Sequence, residues 1–229
     1  PNDRVLSCLS SHMPFWDRSI ELMFLSHPHA DHLNGLLPVL DRYSVLSFGS
    51  EKLQNKTLEF KRLEEIIAEK NIQHRHLFAG DTYRLSDGLT IQVLEPTAEY
   101  LKQTSPNGSI GERSEFANLN LLITYGSFRL LLTGDSQAAQ LHEAIDEGRL
   151  KSVTVLQVPH HGSRSGLDEE LLQEIRPKLA VISVGKNSYG HPTRQILQLL
   201  QQYDIQTLRT DIVGDVEIIS DGKGFMVKK

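Results

Sequence analysis

The sequence predicts an α/β (α+β) fold in which two β-rich sheets each carry helices on an outer face, within a single domain over residues 1–229. Three observations lead there. Short apolar runs of strand length alternate with stretches whose apolar residues recur at helical spacing. Turn dipeptides concentrate in the middle of the chain. Neither an internal repeat nor a low-complexity linker marks a boundary between domains.

Taken in order, residues 20–25 form a nearly continuous apolar run, which suits a central strand covered on both faces. Leu33, Leu36, Leu37 and Leu40 then recur at i, i+3, i+4, i+7, the stripe of a helix in which Pro38 either makes a kink or falls in a first turn that starts late. Residues 45–48 read as a short strand and residues 58–70 as a charged amphipathic helix. Asp87-Gly88 and Tyr125-Gly126 are turn dipeptides among apolar runs at 89–94, 118–124 and 128–132, so hairpins are expected. Residues 96–116 are polar, contain Pro106-Asn107-Gly108, and read as a long loop of the kind that tends to be functional. A helix at 137–147, a strand at 153–158, a helix at 167–175, a strand at 179–184 and a helix at 194–203 follow. The tail returns to strands near 205–208, 216–219 and 225–227.

Composition narrows the classes. Lys and Arg number 24 against 29 Asp and Glu, a formal charge of -5. That balance argues against holding nucleic acid by bulk electrostatics, though not against an enzyme that meets phosphates through bound metal. The single cysteine, Cys8, excludes a disulfide within the chain and leaves the redox compartment open. No apolar run approaches the roughly 20 residues that span a bilayer, so the chain contains no membrane segment. The opening Pro1-Asn2-Asp3-Arg4 is neither a signal peptide nor a translation start, which predicts a fragment or processed piece. The unusual count is 10 His.

Those histidines cluster. Ser26-His27-Pro28-His29-Ala30-Asp31-His32 places three imidazoles and a carboxylate in six positions directly after an apolar strand. Divalent transition metals take neutral imidazole nitrogens and carboxylate oxygens, and a strand-to-helix turn can aim several at one spot. His27 and His29 share a side on extended backbone, while Asp31 and His32 can turn toward a second metal position nearby. A second apolar strand ends in Thr133-Gly134-Asp135, where a carboxylate is suited to bridge two cations, although Asp after Gly is more often a turn or helix cap. A third empties into Pro159-His160-His161-Gly162-Ser163, and a fourth precedes Gly185-Lys186-Asn187-Ser188-Tyr189-Gly190-His191-Pro192-Thr193. Recurrence at strand ends is the argument, since open α/β sheets build their sites there. His74 and His76 share a strand face without a third donor nearby in sequence and read as an exposed strand start, and His12 and His142 as surface residues. Lys61-Arg62 and Lys228-Lys229 are solvated charges, too few for a nucleic-acid track.

With these motifs the chain resembles the metallo-β-lactamase superfamily, and within it the hydrolase domain of ComEC-type competence proteins. The resemblance rests on His27-Pro28-His29-Ala30-Asp31-His32-Leu33-Asn34-Gly35, matching the HxHxDH signature, and on Leu132-Thr133-Gly134-Asp135. Val158-Pro159-His160-His161-Gly162-Ser163 and Asn187-Ser188-Tyr189-Gly190-His191-Pro192 point to the ComEC-like branch. It implies an αβ/βα four-layer sandwich with two divalent ions, Zn or Mn, of which His27 and His29 bind the first, Asp31 and His32 the second, and Asp135 both. One of His160 and His161 completes the ligand set of the second metal; His160 is preferred for its nearness to the strand end, and the other then faces substrate. The further metal-binding His of most dinuclear members is missing from Phe116-Ala117-Asn118-Leu119-Asn120-Leu121, where the ComEC-like branch tends to carry Asn, so Asn118 joins the substrate-binding candidates. The family's opening strands would precede Pro1.

The implied chemistry is hydrolysis of a phosphodiester, as in a nuclease or phosphodiesterase acting on DNA. Two cations about 3.5–4 Å apart lower the pKa of a bridging water and stabilise charge on a phosphoryl oxygen. Asp31 would orient that water or accept its proton. His161 and His191 would stabilise or protonate the leaving oxygen, and Ser163, Asn187 and Thr193 would bond substrate oxygens; His191 could instead merely fix the turn before Pro192. The alternatives are hydrolysis of a lactone, thioester or β-lactam at the same centre, and a non-catalytic metal- or DNA-binding domain of a DNA-uptake assembly. Partners would be nucleic acid or another phosphodiester, with a membrane channel if the chain belongs to a ComEC-like protein. The compartment would be the cytoplasm for a freestanding protein and extracytoplasmic for part of such a channel.

Overall fold

The computed structural model describes residues 4–110 and 117–228, so the expectations that touch Pro1, Phe116 and Lys229 lie outside the described residues. The chain divides into two compact units, residues 1–77 with 97–119, and residues 78–96 with 120–229.

The first unit contains helix α1 (Arg4–His12), strand β1 (Ser19–Leu25), helices α2 (Ala30–Leu33) and α3 (Leu36–Arg42), strand β2 (Ser44–Ser50), helix α4 (Leu58–Glu69), strand β3 (Gln73–His76) and, from the later segment, helix α5 (Ala98–Thr104). Its three strands lie in the order β1-β2-β3 and run parallel, Leu25 opposite Ser50 and Ser47 opposite Gln73. Parallel neighbours need crossovers, which α2 with α3 and then α4 supply. The leucine stripe is helical as expected, but it is cut at Asn34-Gly35. Pro38 then sits at the third position of α3, inside the first turn, where its missing N–H costs nothing. Met23, Leu25, Leu33, Leu40, Phe48, Leu63 and Ile66 form the core. Contrary to expectation, β1 ends the sheet order of the described residues, and Leu22 and Phe24 are only partly covered. The stretch 96–116 contains α5, capped by the Thr97 hydroxyl accepting from the Tyr100 N–H, rather than loop throughout.

The second unit is a seven-stranded mixed sheet, β10-β9-β8-β7-β6-β5-β4. Strands β4 (Thr82–Arg84), β5 (Thr90–Glu95), β6 (Asn120–Tyr125) and β7 (Phe128–Leu132) pair antiparallel, as the two turn dipeptides require. From β7 onward the pairing with β8 (Val155–Gln157), β9 (Leu179–Ile182) and β10 (Gln206–Arg209) is parallel. Helices α6 (Ala138–Asp146), α7 (Glu169–Ile175) and α8 (Arg194–Gln202) supply the crossovers and pack on one face, where Leu131, Leu141, Leu156, Leu171, Ile182 and Ile196 are wholly buried. The short helix α9 (Thr210–Val213) leads to the hairpin of β11 (Glu217–Ser220) and β12 (Phe225–Lys228), whose Ile218, Phe225 and Val227 pack against Phe128, Val155, Leu179 and Leu208. A buried ion pair also crosses this unit: Arg149 Nη1 meets Glu95 Oε1 at 2.8 Å and donates to the Leu94 carbonyl. Because β7, β8 and β9 are parallel, their C-terminal ends share one edge of the sheet, and the three segments carrying Asp135, His160-His161 and His191 all leave from it. No helix among the described residues is long and apolar enough to cross a membrane.

Candidate functional site

In the first unit, β1 delivers the chain to Ser26, and the backbone folds at once. The His29 N–H bonds the His27 carbonyl at 3.0 Å, and His29, extended at φ -90°, caps α2 with its carbonyl accepting from Leu33 N–H at 2.8 Å. The turn gathers the imidazoles: ring centroids of His27 and His29 are 4.6 Å apart, and those of His27 and His32 4.1 Å. His32 Nε2 lies 3.6 Å from a carboxylate oxygen of Asp31. Ser26 Oγ sits 2.9 Å from His32 Nδ1 and 3.2 Å from His27 Nδ1. A ring held through one nitrogen presents the other as a ligand in a fixed direction. His27 is buried, whereas the Asp31 side chain is 62% exposed and open to water. Asn55 donates to the Pro28 carbonyl at 2.8 Å, and the Leu119 N–H to the Ser26 carbonyl at 2.8 Å, which brings the buried Asn118 segment alongside.

In the second unit, Asp135 follows β7 through a turn that Gln157 organises. The Gln157 amide oxygen accepts from the N–H of Thr133 at 2.9 Å and of Gly134 at 3.1 Å, while the Thr133 hydroxyl donates to the Gln157 carbonyl. The His160 N–H then bonds the Gly134 carbonyl at 3.0 Å. His160 and His161 both adopt left-handed backbone, φ 48° and 54°. Each such residue with a side chain costs about 1–2 kcal/mol, and strain of this kind persists where surrounding contacts over-determine it. Here it swings both rings onto one carboxylate: His160 Nε2 is 3.7 Å from Asp135 Oδ2 and His161 Nε2 3.5 Å from Oδ1. His161 Nδ1 also lies 2.7 Å from the Ser183 carbonyl, which can only accept. Nδ1 is therefore the donor of that contact, and Nε2 is the ring nitrogen turned to Asp135. That favours His161 as the ligand, although it is the further of the two from the strand end.

The segment 185–193 closes on the same residues. Gly162 accepts at its carbonyl from the Thr193 N–H at 2.9 Å and from the Thr193 hydroxyl at 3.2 Å. The His191 ring is 5.5 Å from that of His160. Burial, with the His160 and His161 charges, pushes the His191 imidazole below its ordinary pKa, against a smaller opposite pull from Asp135. The Asn187 amide is spent inside the loop: its nitrogen donates to the carbonyls of Gly185 and His191, and its oxygen accepts from the N–H of Tyr189 and His191. Thr193 also caps α8, accepting from the Ile196 N–H. These two side chains shape the loop rather than offer spare hydrogen bonds to a substrate. Ser163 lies at the end of the strained turn, its hydroxyl 3.4 Å from that of Ser165.

The donors within each unit, imidazole nitrogens and carboxylate oxygens, are those a borderline divalent cation takes, so the residues present fit such an ion. Sequence reasoning missed Gln157, Ser26 and Ser183 as supports. A polar residue in the apolar run 153–158 was the one available signal for Gln157. His74 lies on β3 with Nε2 3.0 Å from Ser50 Oγ, beside a cavity of about 280 Å³ that His76 also lines. His142 holds Asp168, the cap of α7, at 2.8 Å.

Residues 17–186 match the model of the metallo-beta-lactamase superfamily. Among curated proteins, the chain is 32% identical over 207 residues to ComE operon protein 3 of Bacillus subtilis, covering 87% of this chain and 24% of that one. It is 26% identical to Recombination protein 2 of Haemophilus influenzae, covering 90% and 23%. It is 30% identical over 134 residues to Competence protein ComA of Neisseria gonorrhoeae, covering 57% and 18%. The chain thus spans about a quarter or less of these relatives. Of solved structures, Igni18, a metallo hydrolase from Ignicoccus hospitalis, aligns with a TM-score of 0.52 at 17% identity over 91% of this chain and 79% of that one. CmlA, a diiron beta-hydroxylase from Streptomyces venezuelae, aligns at 0.54 and 13% over 88% and 45%; both likenesses concern the fold.

Proposed function

Because the chain belongs to the metallo-β-lactamase superfamily, a family of metal-dependent hydrolases, we propose that it is a hydrolase domain that cleaves phosphodiester bonds of DNA. The candidate metal ligands are His27, His29, Asp31, His32, Asp135 and His161. A divalent cation held by such ligands lowers the pKa of a coordinated water and offsets charge on phosphoryl oxygens. The chain's own residues supply the rest. Ser26 and the Ser183 carbonyl fix the directions of His32 and His161. Asp31, exposed to water, accepts its proton. His191, kept neutral by its environment, offers an N–H to the leaving oxygen, with His160 beside it. Asn118 and Ser163 are the remaining candidates for substrate oxygens.

The observation that favours a phosphodiester over an acyl substrate is the charge of the loops around His161 and His191. Arg164, Lys186 and Arg194 are exposed there, and no acidic residue occurs between Glu174 and Asp204 or between Pro159 and Leu167. An acyl pocket would need apolar walls; a phosphate wants this cationic, polar margin. The names of the relatives, for competence and recombination, support DNA as the polymer and a DNA-uptake assembly as the setting.

The test is turnover of bis(p-nitrophenyl) phosphate and of single-stranded DNA by protein loaded with Zn²⁺ or Mn²⁺, with metal content measured alongside. About two equivalents of metal are expected, and Asp135→Ala should abolish turnover. Cleavage of thioesters or lactones without cleavage of phosphodiesters would move the assignment to acyl chemistry. Bound metal without any turnover would leave a binding domain.

A further inference from the structure

We propose that Tyr189 is a base-stacking platform that makes the site prefer single-stranded over duplex nucleic acid, an inference that rests on the phosphodiester reading for its place in catalysis but not for its test. A lone exposed aromatic residue is ordinary on a protein surface. What sets Tyr189 apart is how it is held and what surrounds it. The residue is 83% exposed, yet its backbone is fixed: the Tyr189 N–H bonds the Asn187 side-chain oxygen at 3.1 Å, and the same oxygen accepts from the His191 N–H. Gly190, at φ +78° with open space around it, lets the chain turn immediately afterwards. The side chain is thus presented to solvent by a closed, internally bonded loop.

Its ring lies 6.3 Å from that of His191 and is inclined to it by 35°, and His191 in turn lies 5.5 Å from His160. A nucleobase resting on Tyr189 would leave its own or the adjoining phosphate within reach of the His160 and His191 rings. Lys186, three residues back in the loop, and Arg194, five residues on at the start of α8, are both exposed and suit the phosphates on either side. Stacking of this kind accepts any base, because every base has a π-face, and it needs that face free. In a duplex both faces are covered by neighbours, so the platform can bind only a strand whose bases are unstacked.

Binding of fluorescein-labelled oligothymidylate to the full chain, followed by anisotropy in EDTA so that no cleavage occurs, tests the idea. The wild-type protein should bind the single strand more tightly than the corresponding duplex. Tyr189→Ala should weaken single-strand binding roughly 5- to 150-fold and erase the preference, while Tyr189→Phe keeps both. An oligomer with abasic sites should lose a similar factor with the wild type and nothing further with Tyr189→Ala. Thermal melts of the variants should match the wild type, since the side chain packs on so little. The proposal is overturned by wild-type protein that binds no oligothymidylate or prefers the duplex, or by Tyr189→Ala binding as well as wild type. The hydrolytic assay separates the two readings: Tyr189-dependent binding without phosphodiester turnover would sink the catalytic assignment alone, and turnover with Tyr189-independent binding would sink the platform alone.

Discussion

Gly162 joins the strained His160-His161 turn to the loop that carries His191, and replacing it with alanine should damage both stability and catalysis. Its φ is +83°, and a Cβ there would stand 2.5 Å from Pro192 Cβ and 3.0 Å from Pro192 Cα. Both obstacles belong to a ring and its backbone, which cannot rotate aside as a long side chain could. The two segments must therefore part by about 1 Å to reach ordinary contact, at the point where Thr193 donates twice to the Gly162 carbonyl. A left-handed alanine costs about 1 kcal/mol, overpacking against a rigid neighbour about 1–3 kcal/mol, and a weakened hydrogen bond up to about 1 kcal/mol. Together these give about 3 kcal/mol and a Tm lower by about 6–12 °C for a chain of this size. Because His160 and His191 are displaced relative to one another, kcat/KM for bis(p-nitrophenyl) phosphate should also fall about 100-fold, the usual consequence of misplacement by about 1 Å. Gly148→Ala is the control: its φ is +72°, but nothing lies within 4 Å of the new Cβ, so it carries the conformational cost alone and no loss of turnover. Wild-type Tm and turnover in Gly162→Ala, or equal effects from the two substitutions, would refute the reasoning.

Glu51 is buried, and among the described residues its carboxylate oxygens meet no side-chain partner. Desolvation raises its pKa well above the ordinary 4.5, only partly offset by its own backbone N–H. The folded state therefore keeps a proton that the unfolded chain sheds, so this contribution to stability is complete below pH 4.5 and is lost as pH rises through the folded pKa. The stability gained by Glu51→Gln over wild type, read from urea melts, should grow by up to about 1.4 kcal/mol per pH unit between pH 4.5 and the folded pKa and level off above it; a difference independent of pH would contradict it. For the buried pair of Glu95 and Arg149, Arg149→Met should destabilise by about 3–5 kcal/mol by stranding a carboxylate that is 2% exposed. Adding Glu95→Leu should restore most of the loss in the same denaturation assay, and a strictly additive double variant would show that the pair is not coupled.

The fold was legible where pattern and burial agree. The leucine stripe, the two hairpin turns and the alternation after Asp135 stand in the structure within a residue or two of the sequence reading, because each buries a continuous face. Helix α5 escaped notice since it buries only Leu101 and so shows no stripe, its start being set by the Thr97 cap. Strand β3, Gln-His-Arg-His, has no apolar alternation either; backbone pairing with β2 defines it. The position of β1 at the end of the sheet order among the described residues could not be read, because an apolar run reports that a strand is covered and not which strand is beside it.

The site divides along a similar line. Within the segment 26–32 the donors are neighbours in sequence, so the cluster could be read directly. The two left-handed residues at His160 and His161, and the contact of His161 with Ser183, 22 positions away, could not. The charge count says little about any one surface. A total of -5 averages over the whole chain, yet the acidic residues gather on helices: four glutamates in or bordering α4, and three in α7. The field of an exposed charge is screened beyond about 10 Å at ordinary ionic strength. The exposed margin of the segments around His161 and His191 is therefore set by Arg164, Lys186 and Arg194 more than by the sign of the sum, while Asp135, 3.5 Å from His161 Nε2, keeps one carboxylate beside the rings.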